Sequence, residues 1–381
     1  MHNSIRVSFL QIVEFSSELS KLNVIKYSVK LLFSCVTVAL YIGCASIDVP
    51  RVTPQELAVE RQLQLEHTLT EGFDQIARIH NLLWPLLERN TDFCRGMTTR
   101  SIGLRHTSPR GGSGQSAVER RARDAVFDFN ERPVIYAVAE GSPADTAGLK
   151  PNDRIVAVGR WTWTAENASD FNRSLQRRLD AMVRRGDVVL AIERDGERMS
   201  IDMTPIRICN VDLSLKPTLE VQARTNGREI VVTLGMAERL DDEQIRTVLA
   251  HELAHCTMGH ITRTSVNSGL GLMFDLAFLT QRVWLGGVFS RLSRDAMSIS
   301  IEREADYVSM YLLANAGFDT SDRAQIWREL ADEVTFRSSF FTTHPYSPER
   351  YLLLTKTHDE IDRKRESGED VVPNGMRLRR R

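Results

Sequence analysis

The chain has almost no net charge: 49 lysines and arginines face 50 aspartates and glutamates, a formal charge of −1. That balance gives no support for the basic face on which a nucleic-acid binder depends, so no nucleic-acid partner is expected. The chain also lacks a clean apolar run of the ~20 residues that a membrane-spanning helix needs. Leu31 to Ile42 is too short, and Asp275 and Arg282 interrupt the later stretch Leu270 to Val288. That later stretch reads as a buried or cleft-covering amphipathic helix. Cysteine is scarce, with five in 381 residues. What remains, 42% hydrophobic and 26% charged residues, is a globular composition in a chain long enough for two domains with separate cores.

Lys26 and Lys30 precede the short apolar run, and Gly43-Cys44-Ala45-Ser46 ends it. A positive flank, an apolar core and small residues describe a secretory signal peptide, expected over residues 1–43. Cys44 lies in a partial lipobox, with Tyr41 where leucine is usual, and is a lipidation candidate. The expected location is therefore the periplasmic side of the cell envelope, with a membrane attachment through an N-terminal lipid or leader. In an oxidising compartment Cys94 and Cys209, which flank one internal segment, are the disulfide candidates. Cys256 reads as a small buried residue.

Residues 44–96 form a linker and a helix, Pro54 to Arg89, in one or two pieces, expected to pack on a later domain. Residues 97–206 hold a small β-rich domain. Val134 to Val138 is a strand by branching and alternation, and a short helix, a second strand, a helix near Ser169 to Arg185 and a final hairpin follow. The string G-S-P-A-D-T-A-G-L-K-P-N-D-R-I-V-A-V, from Gly141 to Val158, resembles a PDZ domain of the bacterial, HtrA-like kind. Pro143 can start the short helix, Gly148 can take a positive φ after it, and Asp153 can tie the next turn. Such domains bind extended peptides at a sheet edge, so a peptide ligand is an expected partner. Ser101-Ile102-Gly103-Leu104 is the candidate carboxylate-binding loop, separated by a long insertion from the strand at Val134.

From residue 207 to 360 the pattern changes. Leu219 to Ala223 and Glu229 to Leu234 read as two strands joined through Asn226-Gly227, a hairpin signal, with the second a candidate sheet edge for substrate. Asp241 and Gln244 then open a helix as a capping box. On that helix His251 and His255 are one turn apart and can grip one ion, while Glu252 can reach a water on it. A catalytic site needs a third protein ligand and one open position. A second helix opening at Ser298-Ile299-Ser300-Ile301-Glu302-Arg303-Glu304-Ala305-Asp306 offers Glu302 and Asp306 on one face and Glu304 on another. Residues 361–381 read as a charged, disordered tail.

Taken together, H-E-L-A-H-C-T-M-G-H and the later E-R-E-A-D resemble peptidase family forty-eight of the metallopeptidases, the group of the CAAX prenyl protease and HtpX. The resemblance implies an α+β protein: a mainly helical gluzincin-type domain with a small hairpin or sheet, into which the PDZ domain is inserted. It implies one zinc ion per chain on His251, His255 and Glu302, with Glu252 as general base. Asp306 would orient a ligand histidine. Thr343-His344-Pro345 and Arg350 look like a further family signature, with His344 stabilising the oxyanion and Arg350 bracing the acids. His260 reads as structural. The implied activity is zinc-dependent endopeptidase action on protein or peptide substrates of the envelope, in the manner of protein quality control. The alternative is a non-catalytic, PDZ-mediated binding lipoprotein with a structural zinc site. Glu252 speaks against it, since a structural site needs no base and favours four closed ligands.

Overall fold

The computed structural model describes residues 50–94, 96–109, 117–261, 263, 288–334, 344 and 347–376. The leader, Cys44, residues 270–287 of the later apolar stretch, Thr343, Pro345 and the terminal residues 377–381 lie outside them. By internal contact the chain divides into Met1–Ala58 and Val59–Arg381. The described part of the first unit opens helix α1 (Pro54–Arg89), where Thr53 and Glu56 cap each other: Thr53 N donates to Glu56 Oε2 at 2.7 Å and Glu56 N to Thr53 Oγ1 at 3.2 Å. No described helix is long and apolar enough to cross a membrane.

Within the second unit, α1 is one continuous helix rather than two pieces. Its buried face, including Ile79, Leu83, Leu86 and Leu87, joins the largest hydrophobic core. β1 (Thr98–Ser101) then pairs antiparallel with β8 (Ile206–Cys209), and these two short strands form a neck. Cys94 and Cys209 are disulfide-bonded beside it, their Cα atoms 5.7 Å apart. Between the strands of the neck lies the insert.

The insert is a six-stranded sheet built from β2 (Leu104–Thr107), β3 (Val134–Val138), β4 (Arg154–Val158), β5 (Trp161–Thr162), β6 (Val188–Arg194) and β7 (Glu197–Met203). Its order is β2-β3-β4-β6-β7, with β5 on β4, and every pairing is antiparallel. The insertion before β3 carries α2 (Ala117–Phe127). α3 (Pro143–Thr146) and α4 (Ala168–Arg185) complete the domain; Phe171, Leu175 and Leu179 of α4 pack on Ile135, Ile155, Leu190 and Ile192. Local chemistry sets the turns. Ser142 caps α3 by accepting from Asp145 N, Gly148 takes φ +80°, and Asp153 accepts from Lys150 N at 2.8 Å. The candidate loop leads directly into edge strand β2. Gly103 there needs to be glycine twice over, with φ +78° and a Cβ that would meet Ser142 Cβ at 2.3 Å.

After the neck comes a three-stranded sheet of β9 (Asp212–Lys216), β10 (Ala223–Thr225) and β11 (Glu229–Thr233), in the order β10-β11-β9. β11 is the central strand, antiparallel to β10 and parallel to β9. The expectation that Glu229 to Leu234 forms an edge is therefore wrong; β10 holds that place beside the next helices. β9 was not anticipated, because its value lies in a non-local parallel pairing. The first strand of the hairpin is also shorter than expected, since the carbonyls of Thr218, Glu220 and Gln222 accept from Gly235 N and Thr233 Oγ1. Among the described residues five helices follow: α5 (Leu234–Arg239), α6 (Asp242–Met258), α7 (Val288–Asn315), α8 (Arg323–Val334) and α9 (Pro348–Ser367). α6, α7, α9 and α1 share the large core. α9 passes residue 360, and Val371, Val372 and Met376 pack on that core, so 361–376 is helix and packed segment rather than a disordered tail.

Candidate metal centre

Helix α6 begins as its sequence dictates. Asp241 accepts from Gln244 N at 2.8 Å, Gln244 Oε1 accepts from Asp241 N at 3.1 Å, and Gly259 closes the helix at φ +66°. The helix is buried almost all round, so His251, Glu252 and His255 are held within the core at 0%, 1% and 5% exposure. α7 crosses it and presents Glu302 and Asp306, one turn apart. His344 comes from the segment before α9, whose buried Arg350 ties it in by donating from Nη1 to His344 O at 3.2 Å.

One donor atom each of His251, His255, Glu302 and His344 converges, all four within 4.8 Å of one another. His255 Nε2 lies 3.1 Å from His251 Nε2, His251 Nε2 lies 3.2 Å from His344 Nδ1, and Glu302 Oε2 lies 2.9 Å from His344 Nδ1. Glu302 also lies 3.3 Å from His251 Nε2 and 3.4 Å from His255 Nε2. Nitrogens and oxygens at about 2.0–2.1 Å from a tetrahedral zinc ion stand about 3.4 Å apart, close to these separations. Two imidazole lone pairs facing each other at 3.1 Å also call for a cation or a proton between them. By distance and donor chemistry the residues fit zinc.

The electrostatics point the same way. Burial works against charge on Glu302, but hydrogen bonds from His251 and His344 outweigh it and hold the carboxyl below its usual range. Burial likewise opposes charge on His251, yet Asp306 and Glu302 lift it to about 9. His255 is driven well down by burial and by the charge of His251. The cluster thus favours a single positive charge at its centre. Asp306, fully buried, lies 3.0 Å from His251 Nδ1 and accepts from Arg350 Nε at 2.5 Å and Nη2 at 2.7 Å. Arg350 outweighs burial and keeps Asp306 ionised. Its guanidinium stacks 4.7 Å from the ring of Trp327 on α8, whose centroid is 5.4 Å from that of His251. Glu252 differs: burial lifts its carboxyl above the usual value, its Oε1 accepts no hydrogen bond among the described residues, and His344 Nε2 lies 3.3 Å from it.

Each residue expected here, Glu252, His344, His251, His255, Glu302, Asp306 and Arg350, is therefore brought into one constellation. His344 stands within the donor set itself, not only beside it. Three contacts were not foreseen. His260 Nδ1 lies 3.0 Å from His255 Nδ1, and Glu304 accepts at Oε2 from His260 Nε2 (3.2 Å) and Arg263 Nη1 (2.7 Å). Trp327 was missed altogether, and only tertiary packing identifies it.

Residues 221–358 match the model of peptidase family M48, and residues 134–171 match that of the PDZ domain. The mitochondrial metalloendopeptidase OMA1 of Saccharomyces cerevisiae is 28% identical over 130 residues, which cover 30% of this chain and 36% of that protein. The metalloprotease LoiP of Escherichia coli is 28% identical over 32% of this chain and 52% of its own length. The metalloprotease YcaL of the same organism is 27% identical over 40% and 61%. The chain thus spans less than two thirds of the length of each of these relatives. Residues 221–358 are thus similar to peptidase family M48, and a segment similar to the PDZ domain precedes them.

Proposed function

We propose that the protein is a zinc-dependent endopeptidase. The observation that carries this reading is the buried convergence of His251, His255, Glu302 and His344, with the Oε1 of buried Glu252 3.3 Å from His344 Nε2. A structural site would need no base beside its ligands. His251, His255 and Glu302 would hold the ion, which when bound activates water and polarises a peptide carbonyl. Glu252, poised by burial, takes a proton from the attacking water and passes it to the leaving amine. His344, whose ring nitrogens face Glu302 and Glu252, donates to the developing oxyanion. Its place in the donor set means that it must yield that position to water or substrate for turnover. Asp306 and Arg350 keep His251 oriented. Strand β10, at the edge of its sheet, is the candidate to pair with extended substrate.

The PDZ domain is proposed to take an extended peptide. A cavity of ≈ 550 Å³ between edge strand β2 and helix α4 supports this; Leu104 and Leu179 line it with Arg100 and Arg184. The protease strand β9 contributes Leu213 to the same cavity, whose carbonyl accepts from Arg105 Nη2 at 2.9 Å. Placement in the cell envelope as a lipid-anchored protein is also a proposal, supported by the leader pattern around Cys44 and by the Cys94–Cys209 disulfide, a bond favoured in oxidising compartments. Envelope proteins would then be the substrates.

The test is metal analysis and casein cleavage on the wild type and on Glu302→Ala. One zinc per wild-type chain and its loss from the variant, with cleavage, are expected. Unchanged zinc content in the variant would overturn the donor set.

A further inference from the structure

The two ligand histidines are braced in different ways. His251 has a carboxylate directly behind it, Asp306, locked by Arg350. Among the described residues, what stands at the back of His255 is a second histidine, His260. We propose that Glu304 and His260 form a positioning relay that fixes the tautomer and ring orientation of His255, so that Nε2 is presented to the metal. The inference rests on the metal-site reading above.

The proton arrangement allows one assignment. For His255 Nε2 to offer a lone pair to the donor set, its ring proton must sit on Nδ1. That Nδ1 lies 3.0 Å from His260 Nδ1, which must then accept. His260 is consequently neutral with its proton on Nε2, and Nε2 donates to Glu304 Oε2 at 3.2 Å. Arg263, at 2.7 Å, holds the same oxygen in place. Every donor in this chain meets an acceptor, and the opposite tautomer of either histidine breaks it at two points.

The backbone is arranged for this contact. In a continued helix, residue 260 would lie about 140° round the axis from residue 255, at 100° per residue. Gly259 takes φ +66° instead, and a Cβ there would meet nothing within 4 Å. The requirement at 259 is thus the left-handed turn, not space, and the turn accompanies the contact of His260 with the ring of His255, centroids 4.9 Å apart. On α7 the acids divide the work by helical geometry. Glu302 and Asp306 share a face towards the donor set, and Glu304, two residues from each, reaches the far side of His255. All three acids of the E-R-E-A-D string then serve the site: one as ligand, one behind His251, one behind His260.

The test uses the full chain and zinc itself. Zinc affinity is measured by competition with a chelator, and the visible spectrum of the cobalt(II)-substituted protein reports ligand orientation. His260→Ala is expected to weaken zinc binding by about 10–100-fold, as lost outer-sphere partners do, and to change the cobalt spectrum. His260→Asn places an amide oxygen near the position of Nδ1 and should recover most of the affinity. Glu304→Gln keeps an acceptor for Nε2–H and should lose less than Glu304→Ala. Unchanged affinity and spectrum in His260→Ala would overturn the relay. So would equal loss in His260→Asn and His260→Ala when the melting temperatures of the metal-free proteins match. A wild type that binds no zinc would instead overturn the metal-site reading.

Discussion

The PDZ sheet and the crossing of α6 with α7 bury their polar groups for opposite purposes. Between residues 134 and 203 the described buried polar or charged side chains are Ser142 and Asp153, and both tie turns. Across α6, α7 and the start of α9, by contrast, His251, Glu252, His255, His260, Glu302, Asp306, His344 and Arg350 are all buried and face one another. Burying a charge without compensation costs several kcal/mol, so such a cluster persists only where each member is tied to another or to an ion. The PDZ core specifies shape. The helical core holds the candidate metal site, and its stability is expected to depend on that network.

The largest break in that comparison is expected at Glu252. Glu252→Gln removes the base while keeping the side chain's shape, and should lower casein cleavage by about 10²–10⁴-fold with zinc content unchanged. No equivalent substitution in the PDZ sheet should act on the chemical step; Asp153→Asn should alter folding stability alone. Cleavage by Glu252→Gln within a few-fold of wild type would remove the proposed mechanism.

Next in size is Arg350. It is 7% exposed at its side chain and holds Asp306, which is fully buried. Arg350→Ala leaves that buried carboxylate without its arginine, with His251 Nδ1 still 3.0 Å away, and should cost about 3–5 kcal/mol of folding stability. Denaturant unfolding measures it, and a loss under about 1 kcal/mol would mean that the network tolerates a missing member.

The same contrast explains what the sequence could reveal. In the PDZ domain, strand Val134–Val138 was legible to the residue, since alternation, Pro143 and Gly148 act locally. In the helical half the capping box and the His251–His255 spacing were equally local and equally legible. The central place of β11, the existence of β9 and the early start of α7 at Val288 were not, because each follows from pairing or packing between distant segments. Glu304 could be placed off the Glu302 face by helical angle, but nothing short of the fold shows His260 waiting there.

The two halves meet at His80 of α1, which donates from Nε2 to Gly103 O at 3.3 Å. Burial and the nearby Arg105 guanidinium hold this imidazole down to about 4, against 6.5 for the free side chain. The unfolded chain therefore takes up the proton first. The stability that His80 provides is complete above pH 6.5, falls as pH drops towards 4, and levels off below that. The full span is worth about 3 kcal/mol. Comparing wild type with His80→Gln by urea unfolding at pH 7 and pH 5 isolates the effect: the wild type should lose more stability between the two. Parallel losses would place the acid sensitivity elsewhere.

The smallest effect is expected at the rim of the PDZ domain. Arg154 Nη2 pairs with Asp128 Oδ2 at 2.8 Å, a distance as short as those in the metal centre, but the Asp128 side chain is 87% exposed. Water already solvates that carboxylate in both folded and unfolded states, so pairing it gains little. Asp128→Asn should change folding stability by less than about 1 kcal/mol, and added salt should shrink even that. The Arg350–Asp306 pair, of similar length, should keep its contribution in the same salt because water and ions do not reach it. Measuring both variants at low and high salt separates distance from burial as the source of the difference. Equal effects at the two sites would mean that burial is not what gives the helical core its dependence on charge.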